Sequence, residues 1–186
     1  MKQLKVVLFS VAVVLLAASC AAKLPQADVD AANAAFAAAS TAKADVYAPD
    51  SFKAASDAND ALTANLNAKQ YGKTTVLAKA LLDASAKATA DTTTAIEAVK
   101  GEVATLVTDV IALLPVVQGE LASAVKAGKK AKLDVKPIKA TVDAVAQTLT
   151  DAQASTDFAD AKAKLTATKD SLTVAQTTLE AAGFKK

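Results

Sequence analysis

The chain has 186 residues, of which 53% are hydrophobic and only 4% aromatic, with one Cys, no Trp and no His. It contains 48 Ala and no Arg, so all 21 basic residues are Lys, set against 19 acidic ones for a net charge of +2. Without His there is no His-based triad, proton shuttle or metal site, and one Cys forms no internal disulfide, zinc cluster or iron–sulfur cluster. An Ala-rich, Gly- and Pro-poor chain favours helix over sheet, because Ala is the best helix former and is depleted in strands.

Residues 1–19 read as a targeting segment. Lys2 and Lys5 precede an apolar run from Val6 to Leu16 interrupted only by Ser10, and Ala17-Ala18-Ser19 leads into Cys20. A membrane-spanning helix needs about 20 apolar residues, so the run is too short to span and suits a signal peptide. Ala17-Ala18-Ser19-Cys20 resembles a bacterial lipobox, in which signal peptidase II accepts small residues before a Cys whose thiol takes a diacylglycerol through a thioether. The usual form has Leu three residues before the Cys and Gly or Ala just before it, and this sequence departs at both positions. The alternative is an ordinary secretory signal cleaved near Ala18. Cys20 is the expected lipid-attachment residue, since the only Cys stands where that chemistry needs it. Ala21 and Ala22 follow it where an inner-membrane retention signal would have Asp. The resemblance therefore implies the periplasmic face of the outer membrane. Loss of Lys2 and Lys5 leaves 19 Lys against 19 acids in a mature chain of 167 residues. A neutral, interspersed surface is unsuited to nucleic acid, which calls for a basic patch.

Residues 20–27 form a short lipidated tether. Helix then follows, punctuated by turns around apolar stripes. A first helix over about 27–46 carries Val29, Ala32, Phe36, Ala39 and Val46, with Lys43 breaking the stripe. Tyr47-Ala48-Pro49-Asp50-Ser51 is a turn, and a second helix over about 50–69 presents Phe52, Ala55, Ala58, Leu62 and Leu66 before closing at Tyr71-Gly72. The third helix is the longest, from near Lys73 to about 127. Ile96, Val99, Val103, Leu106, Val110, Leu113 and Val117 alternate by three and four, a heptad stripe of coiled-coil type. Pro115 predicts a kink without a stop, and the Thr-rich stretch from Thr89 to Thr94 is a candidate interruption.

Asp134 to Pro137 starts a fourth helix over about 136–154, with Ile138, Val142, Val145, Leu149 and Ala152 on one face. Ser155-Thr156-Asp157 is a turn and cap. The fifth helix, about 157–182, carries Phe158, Ala161, Leu165, Thr168, Leu172, Ala175 and Leu179 and ends at Gly183. Two stretches, Phe52 onward and Ile138 onward, share a helix–turn–helix pattern at an offset of about 86–88 residues, an internal repeat of helical hairpins. The expected fold class is all-α: an elongated antiparallel bundle of about five helices, with hairpins packed on the two halves of one long central helix as in spectrin-like arrays. The expected halves are 28–95 and 96–186.

Tyr47-Ala48-Pro49-Asp50, Lys53-Ala54-Ala55, Ala58, Ala61-Leu62 and Tyr71-Gly72 resemble a bacterial envelope family of unknown function. In that family an Ala-Pro step opens an Ala-rich helix, a small turn with an aromatic follows, and a second Ala-rich helix returns. The likeness covers about residues 27–90. Its members are typically lipoproteins, some with an OmpA-like module, and the family brings no catalytic residues to transfer.

Carboxylate pairs such as Asp57 and Asp60 read as a solvated face with Lys partners, and the five Gly are scattered singly, so no phosphate loop forms. We therefore expect no enzyme activity, cofactor, metal or small-molecule substrate. The terminus Gly183-Phe184-Lys185-Lys186 resembles the aromatic–basic–Lys end of murein lipoproteins, whose last Lys amine is joined to peptidoglycan. This makes Lys186 a candidate attachment point, with a solvated tail as the plainer alternative. Tyr47, Tyr71 and Phe158 stand at turns, where we expect them to plug the bundle ends. The function expected is a lipid-anchored periplasmic scaffold or spacer acting on an envelope protein or the cell wall. Its alternatives are a carrier or chaperone for an apolar ligand or envelope protein, and a self-assembling coiled coil.

Overall fold

The computed structural model of the chain describes residues 23–185. Six α-helices account for most of them: α1 (Gln26–Thr41), α2 (Ala44–Tyr47), α3 (Pro49–Asn67), α4 (Thr74–Ala127), α5 (Lys136–Ala154) and α6 (Phe158–Ala181). Short 3-10 segments, Tyr71–Lys73 and Gly128–Ala131, flank α4, and there is no strand among the described residues. The fold is thus the all-α bundle with one long central helix that the Ala content and the three–four spacing dictate. It divides into two compact units, one ending at Thr92 and the other beginning at Thr93. Helix α4 contributes its first part to one and its remainder to the other.

In the first unit, α1 and α3 pack on the start of α4. Val29, Ala32, Leu62, Ala78 and Leu81 form one buried cluster, with Phe36, Ala58, Leu66 and Leu77 packed against it. A second cluster joins Ala39, Ala44 and Ala88 to Phe52. The pairing of Val29 with Leu62 and Leu81, and of Ala39 with Phe52 and Ala88, makes α1 antiparallel to α3 and parallel to α4. The helix expected over 27–46 is two helices here. Lys43 adopts a left-handed conformation with φ of 60°, its amide donates to Ser40 O at 3.0 Å, and its carbonyl accepts from Val46 and Tyr47. The backbone turns there without Gly or Pro, and α2 restarts so that Ala44 is buried. Pro49 occupies the first position of α3, where its missing N–H leaves no intrahelical bond unmade, and Ala48 before it is kept out of the helical region at φ −140° and ψ 58°.

The end of α3 differs from the closure expected at Gly72. Lys69 is the left-handed residue, with φ of 53°. Its amide donates to Leu66 O at 3.0 Å, and the Gln70 amide donates to Asn65 O at 3.1 Å, the two bonds of a Schellman cap. Gly183 ends α6 in the same way: its amide donates to Glu180 O at 2.9 Å and Phe184 N donates to Leu179 O at 3.0 Å. There the expectation holds, with Gly at φ of 90°.

The second unit has the larger core. Val110, Val117, Leu121 and Ala124 of α4 meet Ile138, Val142 and Val145 of α5 and Leu172, Ala175 and Leu179 of α6. Val103 meets Ala152, Ala161 and Leu165 nearer the α5–α6 turn. Hence α5 is antiparallel to both its neighbours. Asp134 Oδ1 accepts from the Lys136 amide at 3.0 Å ahead of α5, and Asp157 caps α6 by accepting from the Asp160 amide at 3.1 Å.

Helix α4 is uninterrupted through both Thr89–Thr94 and Pro115. Its buried stripe begins before the heptads that stand out in the sequence: Thr74, Ala78, Leu81, Ser85, Ala88 and Thr92 are all buried and continue into Ile96, Val99 and Val103. The spacing lengthens to 11 residues for three turns at Ser85–Ile96 and again at Val110–Leu121. An 11-residue step gives 3.67 residues per turn, and so corrects the drift that strict heptads build up. The first such step crosses the Thr tract. Pro115 and Ile111, whose carbonyl loses its donor to the ring, are both exposed, so the missing hydrogen bond falls on the solvent side. By length and composition α4 is also apolar enough to cross a membrane. Val103, Val110 and Val117 are buried against α5 and α6.

Candidate functional site

Cys20 and Lys186, the two positions on which the sequence places attachment chemistry, lie outside the described residues. The structure shows what stands next to each. Three residues after Cys20 the described chain begins at Lys23 and enters α1 at Gln26. At the other end, Phe184 is half-buried and packed against the core of the second unit. Gly183 is thus part of a helix cap, and Lys186 stands only two residues, at most about 7 Å of chain, beyond an anchored side chain.

The turn between α3 and α4 is held by a buried polar pair. Asn65 is 7% exposed and Thr74 fully buried. Thr74 Oγ1 donates to Asn65 Oδ1 at 2.7 Å, and Asn65 Nδ2 donates to Gln70 O at 3.0 Å. One side chain thereby fixes both the last turn of α3 and the first residue of α4. Thr74→Val keeps the shape but leaves Asn65 Oδ1 buried and unpaired. We expect a loss of about 1–3 kcal/mol, read as a lower urea midpoint for the first unit.

Of the carboxylates Asp57 and Asp60, Asp57 stands in an ion pair. Asp57 accepts from Lys53 Nζ at 2.8 Å on an exposed face, and that hydrogen bond, with the charges of Asp57 and then Asp60, raises the Lys53 pKa. Lys164 is raised in the same way by Asp160. Asp91 accepts from both Lys87 and Ser51, and those hydrogen bonds, Lys87 first, lower its pKa. A general base works best with a pKa near the operating pH, and all three shifts lead away from neutrality. The Ser51–Asp91 hydrogen bond ties α3 to α4. A carboxylate with a lowered pKa stabilises the fold above its unfolded value and ceases to as the pH falls through the folded one. Asp91→Asn should accordingly lower the neutral-pH urea midpoint of the first unit. The gap from the parent should close as the pH drops below the ordinary carboxylate value of 3.8.

In the second unit, Lys162 pairs with Glu102 and Lys169 with Asp109 at 2.7 Å, joining α6 to α4 on the flanks of the apolar seam. Of the aromatics at turns, Phe158 lies under Lys100 Nζ, 5.2 Å from its ring centroid, and Tyr47 and Tyr71 are half-buried. The sequence reading missed the stacked pair Phe36–Phe52, with centroids 5.5 Å apart and planes 8° from parallel. It also missed two buried polar atoms, Ser85 Oγ and Glu120 Oε2, which have no hydrogen-bond partner among the described residues. The clefts among the described residues are open to solvent. One of about 280 Å³ between α5 and α6 is bounded by Thr141, Ala144, Val145, Thr148, Ala167, Thr168 and Ser171. Among the described residues no three His, Cys, Asp or Glu side chains group as a metal site.

No protein-family model, curated protein or solved structure matches the chain.

Proposed function

We propose that this chain is a lipid-anchored structural or spacer protein of the bacterial envelope, held at the periplasmic face of the outer membrane through Cys20 and acting by protein or cell-wall contacts. The observation that carries this reading is the position of the single Cys. It follows a short apolar segment and the small residues Ala17-Ala18-Ser19, six residues before the first described helix begins at Gln26. The body supports the spacer over the carrier alternative. Its seams are narrow and filled by Ala, Val and Leu, and its cleft between α5 and α6 presents Thr hydroxyls and Ala methyls, whereas a site for an apolar ligand encloses most of that ligand in an apolar wall.

The test is metabolic labelling with an alkyne fatty acid, followed by mass measurement of the N-terminal peptide. Label on the parent, none on Cys20→Ser, and a diacylglyceryl mass on Cys20 are expected; an unmodified thiol on a chain cleaved near Ala18 overturns the anchor. Photo-crosslinking from Ile111 and Val174, which are 52% and 66% exposed, addresses the partner. A discrete envelope protein or muropeptide adduct is expected, and a copurifying acyl lipid without adducts favours the carrier.

A further inference from the structure

The start of α1, the end of α3 and the start of α4 come together at one end of the first unit, as the cluster of Val29, Leu62, Leu66, Leu77 and Ala78 requires. That end carries Lys23, Lys69 and Lys73, all exposed, and no ion pair engages any of them among the described residues. Beside them two apolar side chains stand in solvent, Leu24 at 37% and Val76 at 72% exposure. Elsewhere the helices of this unit pair lysines with carboxylates one turn away, as at Lys53–Asp57, Lys79–Asp83 and Lys87–Asp91. The acid in the first turn of α1 is Asp28.

We propose that this end docks on an anionic lipid surface, the three lysines on headgroups and Leu24 and Val76 at their boundary with the acyl chains. The inference rests on the lipid-anchor reading above. Cys20 is three residues from Lys23, a reach of at most about 11 Å, while the headgroup layer of one leaflet is about 5–7 Å deep. An acylated Cys20 therefore brings this end, and no other end of the unit, to the bilayer surface. The left-handed Lys69 and the 3-10 turn Tyr71–Lys73 set two of the lysines on the rim, and the Asn65–Thr74 hydrogen bond holds that turn rigid. The lipid on Cys20 supplies attachment. The patch supplies orientation, since an acyl anchor alone leaves the body free to swivel.

Lipidated protein carrying Val76→Cys or, at the opposite end of the same unit, Val46→Cys is labelled with a polarity-sensitive dye and reconstituted into phosphatidylglycerol-containing or pure phosphatidylcholine vesicles. A blue shift is expected at position 76 in anionic vesicles only, and none at 46. Each Lys near an anionic surface favours docking about fivefold. Combined Lys23→Gln, Lys69→Gln and Lys73→Gln should therefore shift the docked population about 100-fold and abolish the blue shift, with the helical melt unchanged. Equal emission at 76 and 46, or a shift that survives the triple substitution, overturns the proposal. The mass of the Cys20 peptide separates the two failures. A diacylglyceryl mass with a water-exposed position 76 sinks the patch and leaves the anchor, whereas an unmodified Cys20 sinks both.

Discussion

Leu172→Ala is expected to destabilise the second unit by about 2–5 kcal/mol, while Val174→Ala, two residues further along α6, changes its stability by less than about 0.5 kcal/mol. Leu172 is fully buried among Val110, Val117, Val142 and Val145, and Val174 is 66% exposed. The contrast is large because the core is thin. Of the 84 hydrophobic residues after the signal segment 45 are Ala, so only 39 bulky apolar side chains serve 167 residues. A domain is stable by only about 5–15 kcal/mol, and removing one Leu from such a seam takes a large share of that. Nor do the exposed ion pairs compensate, since each surface pair contributes about 0–1 kcal/mol. Urea unfolding of the two variants beside the parent, followed by helical circular dichroism, checks this. Equal losses at 172 and 174 would mean that α6 does not bury the Leu165–Leu172–Leu179 face.

That face was legible in the sequence because its residues are large and recur at three and four, as do Ile138, Val142 and Val145 on α5. Caps were legible where the residue type is distinctive: Asp157 and Gly183 act as their chemistry suggests, and Asp134 makes a turn bond just ahead of α5. What the sequence hid lies mostly in the first unit. Thr74, Ser85 and Thr92 read as polar, yet α4 buries all three. The Thr74 hydroxyl donates to Asn65, Ser85 Oγ has no hydrogen-bond partner among the described residues, and Thr92 returns its bond to the preceding turn. Thr92 Oγ1 donates to Ala88 O at 2.7 Å, and the remaining methyl then packs like Val. The Thr tract that looked like a break is therefore a stretch of helix with a small-residue seam. The turns at Lys43 and Lys69 were hidden for a different reason. Lys is an ordinary helix former with no preference for positive φ, and only burial of Ala44 and the Asn65 network set those bends. Of the attachment chemistry, the sequence showed the residue types at Cys20 and Lys186. The basic rim at Lys23, Lys69 and Lys73 needed the fold, because 46 residues of chain separate its first member from its second.

Glu120→Met is expected to stabilise the second unit by about 1–3 kcal/mol. Glu120 lies on α4 between Val117 and Leu121, is 1% exposed, and leaves Oε2 buried with no hydrogen-bond partner among the described residues. Oε2 held there forgoes hydration without a donor in return. Met has a similar length and flexibility, so it fills the same space with a thioether that needs no partner. The comparison is Glu102→Met on the same helix, where the carboxylate is half-exposed and paired with Lys162. That substitution loses an ion pair between α4 and α6 and should cost no more than about 1 kcal/mol. Opposite signs at 120 and 102 in parallel urea titrations are the expected result. If Glu120→Met instead weakens the unit, the carboxyl has a donor in solution that the fold alone does not supply.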